Sequence, residues 1–490
     1  MRILIASPEV APFAKTGGLA DVAGALPKAL AALGHDVRVV MPLYRCVDPD
    51  QYHLLPVMRE LDVFLADRRF RGQVFRTQFP NSTVPVYFVQ CPALFDRAGL
   101  YGEGGADYPD NPLRFAFASL AAIWMLKGLD WSPDVIQAND WQMALIPTYL
   151  RKWPILFSDP FYSNIAVLFT IHNLAYQGLA DPAILPEIGI DWGLFNPDGL
   201  EFFDKVNLLK AGILFSDHIS TVSPRYAKEI QTEEHGCGLH GVLRTRGSRL
   251  TGILNGIDDT VWNPATDPLI PENYSEADLS GKAVCKATLQ MANGLPQRPD
   301  TPLIGMISRL AEQKGFDLIA QVLEALLERD VQMVLLGTGD PEIEALLRAA
   351  AEKHPKKLAA HFAFDERTAH EIEAGADIFL MPSRYEPCGL NQLYSMRYGT
   401  IPVVHATGGL ADSVTDSTKE TLAAGTASGF CFTEYTAEGL RGALDRALAM
   451  FTGEQPVWRA LVSSAMKRDH SWATSAKAYE RLFQKMTKSS

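Results

Sequence analysis

One hexapeptide, Thr-Gly-Gly-Leu-Ala-Asp, occurs twice in this chain, at residues 16–21 and 407–412, and it constrains the fold more than any other feature. Each copy lies beyond a run of branched apolar residues and opens an Ala/Leu-bearing helical pattern. Paired glycines at such a turn let the backbone come close to a ligand. The helix start that follows leaves N–H groups unpaired at the positive end of its dipole. Two copies, one in each half of a 490-residue chain, require two strand–turn–helix modules and more than one hydrophobic core.

The rest of each half repeats that grammar. Strands are predicted at 2–7, 36–42, 85–89, 134–138, 165–170 and 219–222, then at 303–307, 331–336, 359–364, 377–381 and 401–405. Helices are predicted at 315–328, 341–352, 366–374 and 389–398. Continuous apolar strands separated by helical patterns indicate parallel sheets covered on both faces, an α/β doubly wound architecture. The expected division is an N-terminal domain over 1–260, a C-terminal domain over 261–470 and a tail helix over 471–490 that packs back on the N-terminal domain. Residues 263–300, rich in Pro, Asp and Asn, read as the connection. Two such domains imply a deep cleft, with ligands outside the carboxyl ends of the strands.

Composition narrows the partners. Lys+Arg total 45 against Asp+Glu 57, a net charge of −12, so no global basic footprint for nucleic acid or an anionic membrane is expected. The six cysteines include no CxxC pair, which disfavours a zinc site or a redox dithiol. The longest nearly apolar run, 115–126, falls short of the ~20 residues that a bilayer span needs and reads as a buried helix. The apolar start meets Pro8 and Glu9 at once, leaving no signal-peptide core, and a cytoplasmic location is expected. Neither hexapeptide carries GxGxxG or GxxxxGK[ST], and Gly337-Thr338-Gly339 lacks a third glycine, so a dinucleotide fingerprint or P-loop is not supported.

Chemistry-bearing residues concentrate just after predicted strands. Lys15, Arg309 and Lys314 are cations at strand ends in an acidic chain, suited to neutralising a diphosphate. At an effective dielectric of ~20, one such charge pair at ~4 Å is worth ~4 kcal/mol before desolvation. His172, Asn139-Asp140 and Glu386-Pro387-Cys388-Gly389 also follow strands; read locally, each could equally be a capping group. Cys388 has no evident activating base. Asp48-Pro49-Asp50 matches a bare DxD, but its proline makes it turn-like.

Taken in order, KTGGLADV (15–22), NDWQ (139–142), TIHN (170–173), ILNGID (253–258), SRLAEQKG (308–315), PSRYEPCGLNQL (382–393) and TGGLADSV (407–414) closely resemble the bacterial glycogen synthases and plant starch synthases. The resemblance covers essentially the whole chain. It implies a GT-B fold, two Rossmann-like domains facing a cleft, and retaining transfer of α-glucosyl from ADP-glucose to the non-reducing end of an α-1,4-glucan, with no metal or other cofactor.

By the same resemblance, Lys15 and Gly18 contact the donor diphosphate, and Arg309 and Lys314 bind it and stabilise departing ADP. Glu386 orients the donor sugar, with the Cys388, Gly389 and Leu390 backbone near its hydroxyls. His172 contacts the glucose 6-hydroxyl, Thr407 and Gly408 the distal phosphate, and Phe364 stacks on adenine where relatives often have Tyr. Asp140 is a sugar- or acceptor-side residue, with Asp21 and Asn255 as further sugar-side candidates. Asn391 stands where Thr is common, and Tyr394 where the wider clan carries a second Glu. The alternatives left open are a UDP-glucose-dependent GT-B enzyme, a nucleotide-sugar epimerase and a non-catalytic glucan-binding protein.

Overall fold

The structure is a computed structural model that describes residues 1–363 and 365–488. The chain divides into two compact units. One comprises Met1–Asn255 with the closing helix Trp472–Lys488, the other Gly256–Ser471. The switch between units thus falls at 255/256, and the segment 263–300 belongs to the second unit, where its helix Ser280–Ala292 packs on the helix Glu366–Gly375. The Pro-rich composition there reflects irregular but well-packed chain: Asp267 is 2% exposed and Cys285 1%.

The first unit is built on a nine-stranded sheet. Its strands are β1 (Arg2–Ala6), β2 (Asp36–Pro42), β3 (Leu55–Leu65), β4 (Arg68–Gln78), β5 (Pro85–Gln90), β6 (Val135–Asn139), β7 (Ala166–Ile171), β8 (His218–Thr221) and β9 (Leu250–Gly252). The order is β9-β8-β7-β6-β1-β2-β5-β4-β3, parallel except where β4 runs antiparallel to both β3 and β5. The apolar run at 115–126 lies within the helix Asn111–Gly128, and its Phe115, Phe117, Leu120 and Ile123 are fully buried. The closing helix packs on Gly18–Ala32 through a face that includes Tyr479, Leu482 and Phe483.

The second unit carries six parallel strands: β10 (Leu303–Ile307), β11 (Gln332–Leu336), β12 (Leu358–His361), β13 (Ile378–Met381), β14 (Ile401–His405) and β15 (Phe430–Phe432). Their order, β12-β11-β10-β13-β14-β15, is the 3-2-1-4-5-6 arrangement of a doubly wound sheet. The strand expected over 359–364 ends at His361, and Phe364 lies outside the described residues. The direction of winding reverses between β10 and β13, where such sheets open a crevice at their carboxyl ends.

Candidate active site

In the second unit the crevice at the β10/β13 switch brings two loops together. The first leaves β10 through Ser308 and Arg309 and reaches a single 3₁₀ turn, Glu312–Lys314. That turn ends on Gly315 at φ +81°, where an added Cβ would lie 2.1 Å from the Pro382 carbonyl oxygen. Only glycine allows so close an approach with a left-handed backbone. The two loops are then zipped: Arg384 N–H donates to the Gln313 carbonyl at 2.9 Å, and the Gln313 amide donates to the Tyr385 carbonyl at 3.3 Å.

This scaffold places the Lys314 ammonium 2.6 Å from Glu386 Oε2, with side-chain exposures of 17% and 8%. The Ser383 hydroxyl donates to the same oxygen at 2.9 Å, and the Ser383 carbonyl is held by His405 Nδ1 at 2.8 Å. Lys314 and Glu386, both singled out by sequence, are therefore a nearly buried ion pair. Arg309, on the same loop, is exposed.

The second hexapeptide packs on the Glu386 loop. Gly408, at φ +45°, opens the short helix Gly408–Ser413, and its Cβ position lies 1.9 Å from the Glu386 carbonyl oxygen. Gly409 N–H donates to that oxygen at 3.0 Å, and an added Cβ on Gly409 would sit 2.1 Å from the Cys388 carbonyl. These glycines serve chain-on-chain contact, an origin the ligand reading of the motif did not foresee. Thr407 and Cys388 are buried beside them. Asn391 donates to the Ile307 carbonyl at 2.8 Å and ties the helix Asn391–Arg397 to the end of β10.

In the first unit the corresponding loops leave three adjacent strands, β1, β6 and β7. Here the first hexapeptide is held by a residue that sequence reading missed. Glu9, 4% exposed, accepts from the backbone N–H groups of Thr16 and Gly17, from the Thr16 hydroxyl, and from the Tyr101 hydroxyl at 3.0 Å. Its pKa is raised, because burial outweighs those donors. Two N–H groups at the head of the hexapeptide, just before the helix that starts at Gly18, are thus already occupied by a side chain, while the Cβ position of Gly17 faces open space. Lys15 pairs with Asp21 at 2.7 Å, both partly exposed.

Asp140 stands at φ +54° after β6, and its Oδ1 accepts the His172 backbone N–H at 2.7 Å. It is not a helix cap: the turn Asp140–Met143 has no side-chain cap bond. Burial pushes its carboxyl up to about 7, with the nearby Glu9 charge adding to the rise against the opposing N–H bonds from His172 and Asn173. The His172 imidazole is pushed down to about 3 by burial, so it is neutral at physiological pH. Its Nε2 meets Asn139 Oδ1 at 2.9 Å. Asn255, where the chain leaves the unit, is 5% exposed, and its buried Oδ1 has no hydrogen-bond partner among the described residues. The sequence-selected residues are therefore divided between the two units.

The Asp140 geometry yields a stability test. A carboxyl whose folded pKa lies above its unfolded value contributes stability below the unfolded pKa and loses it as pH rises through the folded one. With a folded value of about 7, Asp140→Asn is expected to raise stability by ~1–3 kcal/mol at pH ~8 and to change it little near pH ~4. Thermal unfolding at both pH values measures this; equal shifts at the two would refute it.

Among the described residues, no group of three His, Cys, Asp or Glu is placed to hold a metal ion, and no helix is long and apolar enough to cross a membrane. The Asp48-Pro49-Asp50 segment is a turn, with Asp48 Oδ1 accepting the N–H groups of Asp50 and Gln51.

The two sheet-bearing units are those of a GT-B glycosyltransferase, as the family models and the superposition that follow show. Residues 2–245 match the family model of the starch synthase catalytic domain, and residues 290–451 match that of the glycosyl transferases group 1. The chain belongs to the glycogen synthase family: it is 50% identical to the glycogen synthase of Anaeromyxobacter dehalogenans strain 2CP-C, over 99% of each chain. It is also 47% identical to glycogen synthase 1 of Methylococcus capsulatus, over 99% of this chain and 96% of that one. The catalytic domain of starch synthase IV from Arabidopsis thaliana, solved with ADP and acarbose, superposes with a TM-score of 0.92 at 35% identity, covering 99% of each chain.

Proposed function

We propose that the chain transfers α-glucosyl from ADP-glucose to the non-reducing end of an α-1,4-glucan in the cytoplasm, with retention and with release of ADP. The observation that carries the site assignment is the buried Lys314–Glu386 pair at the sheet switch. Lys314 and Arg309 neutralise the diphosphate, and Lys15 adds a third cation; Arg can clamp two phosphate oxygens while Lys acts as a point charge. Thr407 and Gly408 contact the distal phosphate. Glu386, held by Lys314 and Ser383, orients the donor sugar beside the Cys388–Leu390 backbone.

The neutral His172 faces the sugar and does not act as a proton carrier, because an imidazole titrating at about 3 cannot cycle a proton near neutrality. With no side chain assigned as nucleophile, the acceptor hydroxyl attacks on the face that ADP leaves, and the leaving phosphate takes its proton. Stabilisation of the departing diphosphate by fixed charges then supplies much of the rate. No metal enters this reading, so a chelator is expected to leave the rate unchanged.

Initial rates with ADP-glucose and UDP-glucose, each with and without glycogen, test the reading. ADP release that requires glycogen and favours the adenine donor is expected. Glycogen binding without nucleotide release, or turnover without acceptor, would overturn it.

A further inference from the structure

We infer that Asn139 is a positioning residue: it locks the His172 ring in the tautomer with Nε2 protonated and Nδ1 bare, so that the sugar side of the site demands a hydrogen-bond donor, a hydroxyl and not a carboxylate. The inference rests on the reading that His172 faces the donor sugar.

One side-chain amide fixes the ring. Asn139 ends β6 and is 1% exposed. Its Nδ2 donates at 2.9 Å to the carbonyl of Ala6 on the adjacent strand β1. Reversing the amide would set two acceptors against each other, so Oδ1 must be the atom facing His172 Nε2 at 2.9 Å. An amide oxygen only accepts, and Nε2 must therefore carry the proton. A neutral imidazole has one N–H, which leaves Nδ1 as a lone-pair acceptor.

The ionisable groups around the ring do not supply a second proton. Asp140 turns its Oδ1 to the His172 backbone N–H and makes no hydrogen bond to the ring among the described residues, and Glu9 lies beyond it with the Tyr101 hydroxyl bound. His172 Nδ1 makes no hydrogen bond among the described residues, and the residue is partly exposed. A primary hydroxyl can donate to such an atom. A carboxylate at the same carbon would be repelled by it, and a deoxy sugar would leave it unpaired.

The full chain labelled with ¹⁵N-histidine, with His172→Gln used to assign the signal, reads the tautomer directly. His172 is expected to show Nε2 protonated and Nδ1 bare from about pH 6 to about pH 9. A proton on Nδ1, or titration within that range, would overturn the lock.

Kinetics read the consequence. The wild-type enzyme is expected to prefer ADP-glucose over its 6-deoxy analogue by roughly 10- to 100-fold in kcat/KM. Asn139→Asp keeps the acceptor but adds a negative charge, which favours the doubly protonated ring. Its kcat/KM for ADP-glucose should therefore fall as pH drops below neutral and recover above, with the 6-deoxy discrimination shrinking towards onefold at low pH. Equal slowing of both donors with an unchanged pH profile would reduce Asn139 to a structural role and overturn the proposal. If the variant does not fold, the wild-type spectrum and the wild-type donor comparison still decide. A wild type with the expected tautomer but no 6-deoxy discrimination would refute the sugar-facing reading of His172 while leaving the lock intact.

Discussion

Glu386→Ala is expected to cut glucan-dependent ADP release by ~10²–10³-fold in kcat, and to destabilise the second unit as well. Both effects trace to the Lys314–Glu386 contact at 2.6 Å. Removing the carboxylate takes away the group proposed to orient the donor sugar, and fixed groups of this kind are each worth ~10²–10³ in rate. It also strands a Lys314 ammonium that is 17% exposed, and breaking a buried pair by deleting one partner costs ~3–5 kcal/mol.

The two consequences separate in a double-mutant comparison. Lys314→Met with Glu386→Leu removes both charges together and should recover most of the stability while recovering none of the activity. Thermal melts and ADP-release rates on the two single variants and the double variant test this. Glu386→Ala with more than about a tenth of wild-type kcat would remove Glu386 from the reaction. A double variant no more stable than either single one would show that the pair does not couple energetically.

The parallel core of both sheets was legible because fully buried strands read as continuous apolar runs. Val135–Asn139 and Ala166–Ile171 are buried at every position, and their predicted boundaries fell within a residue or two. The hairpin β3–β4 was not read. It closes the sheet at an edge, where Arg69 and Arg71 take the outward positions between buried Phe70, Gly72 and Val74, so that only every second residue is apolar. A period-two pattern was present there, but charges diluted it.

The site was legible as a set of strand-end residues and illegible as a set of contacts. Lys314 and Glu386 are 72 residues apart, Asn139 and His172 are 33 apart, and no local pattern announces either pair. Glu9 carried a weak signal, a carboxylate just beyond β1 and ahead of a glycine loop, but its partners are backbone N–H groups that sequence does not display. Asn139-Asp140 illustrates the opposite error. Asp before a helix is most often a cap, yet here the carboxyl turns to the His172 backbone and the amide to its ring.

The same hexapeptide should respond oppositely in its two settings. Gly408→Ala is expected to cut activity by ~100-fold or more. Its Cβ would fall 1.9 Å from the Glu386 carbonyl oxygen, on a backbone at φ +45° that disfavours any side chain. Relief requires the two loops to part, which carries Glu386 with it, and displacement of a reacting group by ~1 Å can cost ~10²-fold.

Gly17→Ala, at the matching position of the first copy, meets nothing within 4 Å, and its φ of −158° suits alanine. Folding should be unaffected there, so any loss of rate would report a ligand occupying the open space beside Gly17. Melting temperature and ADP-release rate, measured on both variants, form a four-way comparison. Gly408→Ala with wild-type activity would mean that the loop contact does not position Glu386. Gly17→Ala with an unchanged KM for ADP-glucose would mean that the first hexapeptide does not line the donor site, whatever its twin does.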